Sequence, residues 1–522
     1  MINKVNSKSF MSIALAAMLA VSCTDLEIEA TDSLIDESTS SGGIFNGVEN
    51  VESALDNVYG GFNRIGDQQN IYALNEVTTD ELLVPTRGTD WGDNGLWRTL
   101  HQHTWDASHP HVLNTWNDWN SSVFLASEII DSRSGASAAQ QADAKFLRAY
   151  AMWVIMDLYG QVPFRAPDEG PEINPTVFSR SEALDFVIKD LTEAIPDLPS
   201  RGPDAIESNN RASKATGRFL LAKVLLNAHI YRGTAPDNAD MAQVISLVDE
   251  IAADGYALQE GYFDIFKEDA DSETIWWIPT GVGNRIWNGM HYNINSPDNG
   301  GGGWNGFSTL AEFYDLFEGD PNSNYIGDGQ EERRGWVPDA DTADPETNFG
   351  IGYGFLIGQQ YDGDGSPLKD RPGNPLIFTK EFPGLIGNNE VTGVRTIKYH
   401  PADGGSFRSH EIVFRYADAY LMKAEAMLRS GQDPTNMVND LRILRGASVL
   451  GSAVTEQDLL DERGRELYKE MTRRNDMIRF GQFTRDWEFK NPEAVGDETK
   501  NLFPIPDNAL LSNPNLVQNP GY

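Results

Sequence analysis

Two stretches of this chain set tryptophan beside glycine, amide and charged residues, a mixture suited to holding a polar ring. The first is Thr86-Arg87-Gly88-Thr89-Asp90-Trp91-Gly92-Asp93-Asn94-Gly95-Leu96-Trp97. The second is Trp287-Asn288-Gly289-Met290-His291-Tyr292, which leads through Gly300 to Gly303 into Trp304-Asn305-Gly306. A sugar ring presents a face of C–H groups that lies on an indole, while its hydroxyls need amides, carboxylates or other polar groups. These residue types predict an aromatic platform of Trp91, Trp287 and Trp304, with Tyr292 beside it. Arg87, Asp93, Asn94 and Asn288 are the expected polar partners. The opposing reading of each tryptophan is an anchor that pins its loop to the core. Trp276 and Trp277 sit in a strand-like run, Thr274 to Ile278, where faces alternate, so at least one belongs to the core. Trp97 and Trp105 flank a His-bearing, strand-like run and are both assigned to the core.

Other constellations are weaker. Glu462, Glu466 and Glu470 fall one turn apart on a predicted helix, where like charges repel. They need cations, and Arg463, Arg473, Arg148 and Arg415 are candidates. A facing pair of carboxylates is also what glycoside hydrolysis requires. With 78 acidic residues in the chain, such pairs arise without function, so no catalytic residue is assigned. His101, His103, His109 and His111 form two H-x-H pairs that would place both rings on one side of a strand. No cysteine assists them, so hydrogen bonding is preferred over zinc. Asp362-Gly363-Asp364-Gly365-Ser366 resembles the start of a calcium loop without its distal glutamate. Asp362 and Asp364 are therefore weak candidates for a structural calcium, and no other cofactor is expected. Phosphate-loop, dinucleotide and G-x-S-x-G signatures are missing from the sequence.

The balance of 41 basic against 78 acidic residues gives a net charge of −37. Such a surface repels nucleic acid, anionic lipid and polyanionic glycans unless a local cation intervenes, which leaves a neutral ligand as the easier expectation. The one cysteine, Cys23, follows Lys4, Lys8 and the apolar run Phe10 to Val21, with small residues Ala20 and Ser22 close by. This is the pattern of a lipoprotein signal peptide over residues 1–22, with Cys23 as the acylated first residue. The place three before the cysteine holds Ala20, and Leu19 lies one further back. Residues 23–45 are acidic and rich in Ser and Thr, and read as a flexible tether. Several acyl chains on one residue give durable membrane anchoring.

The elements that must position these residues are mostly helical. Apolar spacing predicts helices over Val51 to Ile65, Ala142 to Tyr159, Ser181 to Ile195, Ala215 to Tyr231 and Met241 to Ala253. It predicts others over Glu411 to Leu428, Asn436 to Leu444 and Gln457 to Phe480. Neighbours lie close enough to pair, which suggests a layer of tetratricopeptide-like helix pairs. Residues 66–109 and 270–410 are rich in Gly, Asn, Asp, Pro and Trp, and read as long loops and small β-hairpins over that layer. Residues 46–522 are expected to form one unit.

At this point the sequence resembles the SusD/RagB family of outer-membrane nutrient-binding lipoproteins. Phe503-Pro504-Ile505-Pro506 and Asn513 to Tyr522 (NPNLVQNPGY) resemble the family's closing motif. Lys145 to Tyr150 running to Leu158-Tyr159-Gly160-Gln161-Val162-Pro163 is similar to another family helix, and Glu411 to Arg429 to a third. Leu441 to Arg445 and Glu462-Arg463 through Asp476 to Gly481 also match. The resemblance implies a mainly α fold and capture of oligosaccharides at the cell surface, without catalysis. It implies a partnership with a SusC-like TonB-dependent transporter, which the protein would cover like a lid. The aromatic platform is no part of these motifs. The combined expectation is a cell-surface lipoprotein of the outer membrane that binds a neutral glycan, a β-glucan being favoured. Peptide or glycopeptide binding in the same import role is the alternative, and a glycoside hydrolase is the remaining rival.

Overall fold

The computed structural model describes residues 45–522 except 268, 270, 282–287, 296–301 and 404–409. Asn46–Tyr522 form one compact unit. About 45% of the described residues are helical. Among the described residues the strands are short antiparallel pairs and one three-stranded sheet, none of them closed.

The long helices run α1 (Val51–Phe62), α2 (Pro110–Ile130), α3 (Ala138–Tyr159), α4 (Arg180–Ala194), α5 (Lys214–Leu226), α6 (Asn238–Ala253), α7 (Tyr416–Arg429), α8 (Thr435–Leu444) and α9 (Glu456–Leu467). The shorter α10 (Arg473–Arg479) and α11 (Asp507–Ser512) follow. Local chemistry sets their starts. Ser137 and Gln140 form a capping box for α3, as do Ser179 and Glu182 for α4, Ser213 and Thr216 for α5, and Thr455 and Asp458 for α9. Each box satisfies backbone N–H groups that the first helical turn leaves open. Successive helices pack on each other: α2 on α3, α3 on α4, α4 on α5, α5 on α6, and α6 on α7. This is the expected paired-helix layer. Its core includes Phe62, Trp119, Phe146, Tyr150 and Trp276, all buried with edge-on or tilted ring contacts.

Four stretches differ from the expectation. Residues 110–130, for which no helix was expected, form the 21-residue α2, with Pro110 at its first turn and His109 capping it. The run before it, Leu96–Gln102, is also helical rather than strand-like. Glu411 to Leu428 divides into a strand, Glu411–Arg415, and α7, because the strand pairs with Thr274–Ile278 and turns Arg415 inward. Gln457 to Phe480 breaks at Tyr468–Thr472, where Lys469 and Met471 take left-handed backbone angles.

The break is tied to a buried ionic cluster. Glu462 accepts from Arg333, Arg442 and Arg465, and Glu466 from Arg333, Arg415 and Arg445. Glu470 takes Arg415 and Lys398, and Glu273 takes Arg415 and Arg445. Of the cations expected for these glutamates only Arg415 serves. Arg148 pairs with Asp190, Arg463 with Asp418 and Asp476, and Arg473 with Asp80. Glu470 lies beyond the end of α9, so it is not on the helix face that the sequence suggested.

The segments between 262 and 412 carry their own apolar cluster, including Tyr262, Phe317 and Phe355, which Tyr468 joins from the end of α9. Trp276 is fully buried, whereas Trp277 is half-buried, donates to the Ile206 carbonyl at 2.7 Å and stacks on His410. The alternation expected of the Thr274–Ile278 strand is therefore present. Trp97 and Trp105 are core residues, as expected.

Candidate functional site

The loop at 86–95 is built around a tight turn, in which the N–H of Arg87 meets the carbonyl of Asp90 at 3.0 Å and the reverse pair closes at 2.9 Å. Trp91, Asp93 and Asn94 then adopt left-handed backbone angles, φ 58°, 36° and 52°. Such strain in non-glycine residues persists only where surrounding contacts enforce it. The enforcing contacts are visible. Trp97 Nε1 donates to Asp93 Oδ2 at 2.9 Å, and the Trp91 ring meets Trp97 and Phe307 edge-on, with centroids 6.0 and 5.8 Å away.

Trp91 and Trp304 are brought together, with different roles. Trp91 is half-buried, and its Nε1 donates to the Trp304 carbonyl at 2.6 Å. Gly306 lies flat on its ring: a Cβ there would fall 2.4 Å from Trp91 Cε2, so only glycine permits the approach. Trp304 is 65% exposed. An exposed indole on an irregular segment is ordinarily free to move. Here the next residue, Asn305, is fully buried at φ 55° and bonded on every side. Its N–H donates to Met290, its carbonyl accepts from Arg87 Nε, and its side-chain oxygen accepts from Arg395. Its Nδ2 donates to the Glu390 carbonyl.

Arg87 is a correction to the sequence reading. It is 2% exposed and its guanidinium is spent on the Asn305 and Asn389 carbonyls and the Thr392 and Ser308 hydroxyls. Burial lowers its pKa to about 9, so it remains charged at neutral pH. It fixes the loop that carries Trp304 and offers nothing to a ligand. Tyr292 is a second correction. Its hydroxyl donates to Asp90, and the Arg371 guanidinium lies 3.7 Å from its ring centre, capping the face expected to stack on sugar. Arg371 in turn holds Asp90 and Glu390, and His291 meets Glu390 at 2.9 Å. Tyr292 therefore belongs to a latch between loops.

Asp93 and Asn94 are exposed on the loop. Trp287 lies outside the described residues. Asn288 is half-buried, its carbonyl accepting the Gly306 N–H at 2.5 Å. Its amide donates to Gln68 Oε1. Both residues line an open polar cavity of about 410 Å³ with Asn63, Asp67, Gln69 and Thr280. The sequence reading missed Asn63, Asp67, Gln68, Gln69 and Thr280. The amide-rich run Asp67-Gln68-Gln69-Asn70 was their only signal, and nothing local ties it to Asn288. The site thus sets an exposed indole on a clamped backbone beside a cavity whose described lining holds amides, one carboxylate and no cation, a set suited to neutral hydroxyls.

The remaining candidates are held elsewhere. The carboxylates of Glu462 and Glu466 are 0% exposed. Burial alone would raise them, yet the surrounding arginines outweigh it, bringing Glu462 down to about 2 and Glu466 lower still. A hydrolytic general acid needs the opposite shift and access to substrate. His101, His103 and His109 each meet a backbone carbonyl, of Glu488, Thr78 and Leu96, and His111 packs on Trp97. Among the described residues no group of three or more His, Cys, Asp or Glu is arranged to hold a metal. Asp362 and Asp364 accept the N–H groups of Gly363 and Ser366 within their own turn.

Residues 272–522 match the SusD family. Over 99% of its length the chain is 26% identical to the starch-binding protein SusD of Bacteroides thetaiotaomicron, 99% of which is covered. A solved SusD-like protein from Bacteroides fragilis superposes with a TM-score of 0.69 at 21% identity, covering 94% of this chain and all of that one. A laminarin-binding SusD-like protein gives 0.62 at 20% identity, over 92% of this chain and all of that one. Surface glycan-binding protein A from Bacteroides thetaiotaomicron, in complex with laminarihexaose, gives 0.62 at 17% identity over 90% and 98%.

Proposed function

The chain belongs to the SusD family, and from that premise we propose that it captures a neutral glycan at the cell surface and delivers it to a SusC-like TonB-dependent transporter of the outer membrane. It is a binding protein and not an enzyme, since its relatives are named for binding and its clustered glutamates are sealed by arginines.

The observation that carries the reading is Trp304. It is 65% exposed, yet its carbonyl and its neighbour Asn305 are locked by Trp91, Arg87 and Arg395. A pre-set aromatic face costs little to order when a ring lands on it. Asn288, Gln68 and Asn63 supply hydroxyl partners nearby, and Asp93 and Asn94 flank the platform from the first loop. The favoured ligand is a β-glucan. The described lining of the polar cavity holds no cation, which suits an uncharged chain, and laminarin and laminarihexaose, each named for one fold relative, are β-1,3-linked glucans. Cys23 is the proposed lipid attachment point, with residues 23–45 as the tether.

The test is calorimetric titration of the chain with laminarin, a starch dextrin and an anionic polymer, repeated with Trp304→Ala and Gln68→Ala. Laminarin binding that both substitutions weaken supports the reading. Dextrin binding with the same losses keeps the site and changes the glycan. Retention of full affinity in both variants, or binding only to the anionic polymer, removes the site. Binding to peptides in place of every glycan turns the import role toward peptide cargo.

A further inference from the structure

A second concave region lies between α2, the hairpin of Gln161–Phe164 with Thr176–Ser179, and α11. Its volume, about 560 Å³, is within the range of small-molecule sites. It shares no lining residue with the polar cavity at Asn288. Three features give it a chemistry of its own. Phe124, half-buried, and Pro163 and Pro175 provide apolar faces. Asn117 and Asn508, both exposed, provide amides. Arg165 is the one charged side chain among the described lining residues.

Arg165 is sparsely partnered. Many arginines elsewhere in the fold, including Arg333, Arg415, Arg463, Arg473 and Arg479, are held by carboxylates, and the buried Arg87 and Arg395 are instead saturated by carbonyls, hydroxyls and an amide. Arg165 has no such partner among the described residues: its Nη2 donates to the Ile173 carbonyl at 2.8 Å and its Nε has no acceptor. A guanidinium on an acid-free wall, in a chain with 78 acidic residues, is a local reversal of the general field.

We propose that this cavity is a second ligand site, which takes an acidic sugar and pairs its carboxylate with Arg165. Charge-assisted hydrogen bonds to a planar carboxylate suit a guanidinium better than any other side chain. The phenyl and proline faces receive the ring's C–H groups, and Asn117 and Asn508 meet its hydroxyls. The site does not depend on the neutral-glycan reading at Trp304.

Calorimetry on the full chain tests this with methyl glucuronide, its neutral twin methyl glucoside, and N-acetylalanine as a carboxylate without a sugar. The glucuronide binds one to one, and at least about tenfold more tightly than either of the others. Arg165→Met costs at least about tenfold, Arg165→Lys less, added salt weakens binding, and Trp304→Ala leaves it unchanged. Equal binding of methyl glucoside or of N-acetylalanine overturns the proposal, as does full affinity in Arg165→Met. Should Arg165→Met fail to fold, Asn117→Leu, at an exposed position, serves instead: unchanged affinity there is equally fatal.

Discussion

Replacing Trp304 by alanine separates binding from stability more cleanly than any other substitution in this chain. The residue is 65% exposed. Of a tryptophan surface of roughly 250 Å², that leaves about 160 Å² open. A sugar ring covers one face, about 80 Å², which at ~25 cal/mol per Å² is about 2 kcal/mol. Trp304→Ala should therefore weaken glycan binding by about 30-fold. Its effect on unfolding should stay within about 0.5 kcal/mol, since little of the side chain is packed. Trp91→Ala should do both, because its ring contacts Trp97 and Phe307 and its Nε1 holds the Trp304 carbonyl. The assays are titration calorimetry with the best-binding glycan and urea unfolding followed by fluorescence. Unchanged affinity in Trp304→Ala, with the fold intact, would refute the platform. A large loss of stability in the same variant would show that the indole is an anchor after all.

Arg87→Lys should lower glycan affinity without touching ligand, because lysine cannot span Asn305, Asn389, Thr392 and Ser308 together; faster proteolysis near Trp304 reads out the loosened loop. Glu466→Gln should cost about 3 kcal/mol or more in urea unfolding, since it leaves Arg333, Arg415 and Arg445 short of a buried counter-charge; a loss under about 1 kcal/mol would contradict that accounting. All eight histidines are held below their ordinary pKa, mainly by burial, several at about 4. The unfolded chain thus takes up protons below pH 6.5 that the native chain refuses, so stability should fall as the medium is acidified from there. Glu462 and Glu425, each brought down to about 2, act in the same direction: their contribution is complete above about pH 4.5 and is lost as pH falls toward 2. Thermal unfolding across pH 4 to 8 checks the sign, and a melting point that rises on acidification would reverse it. Binding of a neutral glycan should be insensitive to ionic strength, and a marked salt dependence would implicate an anionic ligand.

The helical layer was legible because its apolar spacing is regular and its caps are local, as at Ser137 and Ser179. Helix α2 was not, since its sequence mixes Trp116, Trp119, His111 and several asparagines, and its amphipathic pattern is blurred. The strand at Glu411–Arg415 was hidden for a different reason. Its partner Thr274–Ile278 lies far away in sequence, and only that pairing halts the helix before Tyr416. At the site, Trp304 stood out as an indole beside glycines. Arg87 and Tyr292 were misread because sequence carries residue type but not burial: each is polar in name and spent in place. Gln68 was missed because its meeting with Asn288 spans more than two hundred positions.

The glutamate–arginine cluster also bears on time. Its members come from Glu273, Arg333, Arg415, Arg445 and the 462–470 segment, so no single stretch can leave it without stranding a charge in the interior. Partial departure is therefore worse than either endpoint, which raises the barrier to escape more than it deepens the native well. For a chain whose one cysteine leaves it without an internal disulfide, the useful property is slowness: a native lifetime set by the rate of unfolding rather than by its equilibrium.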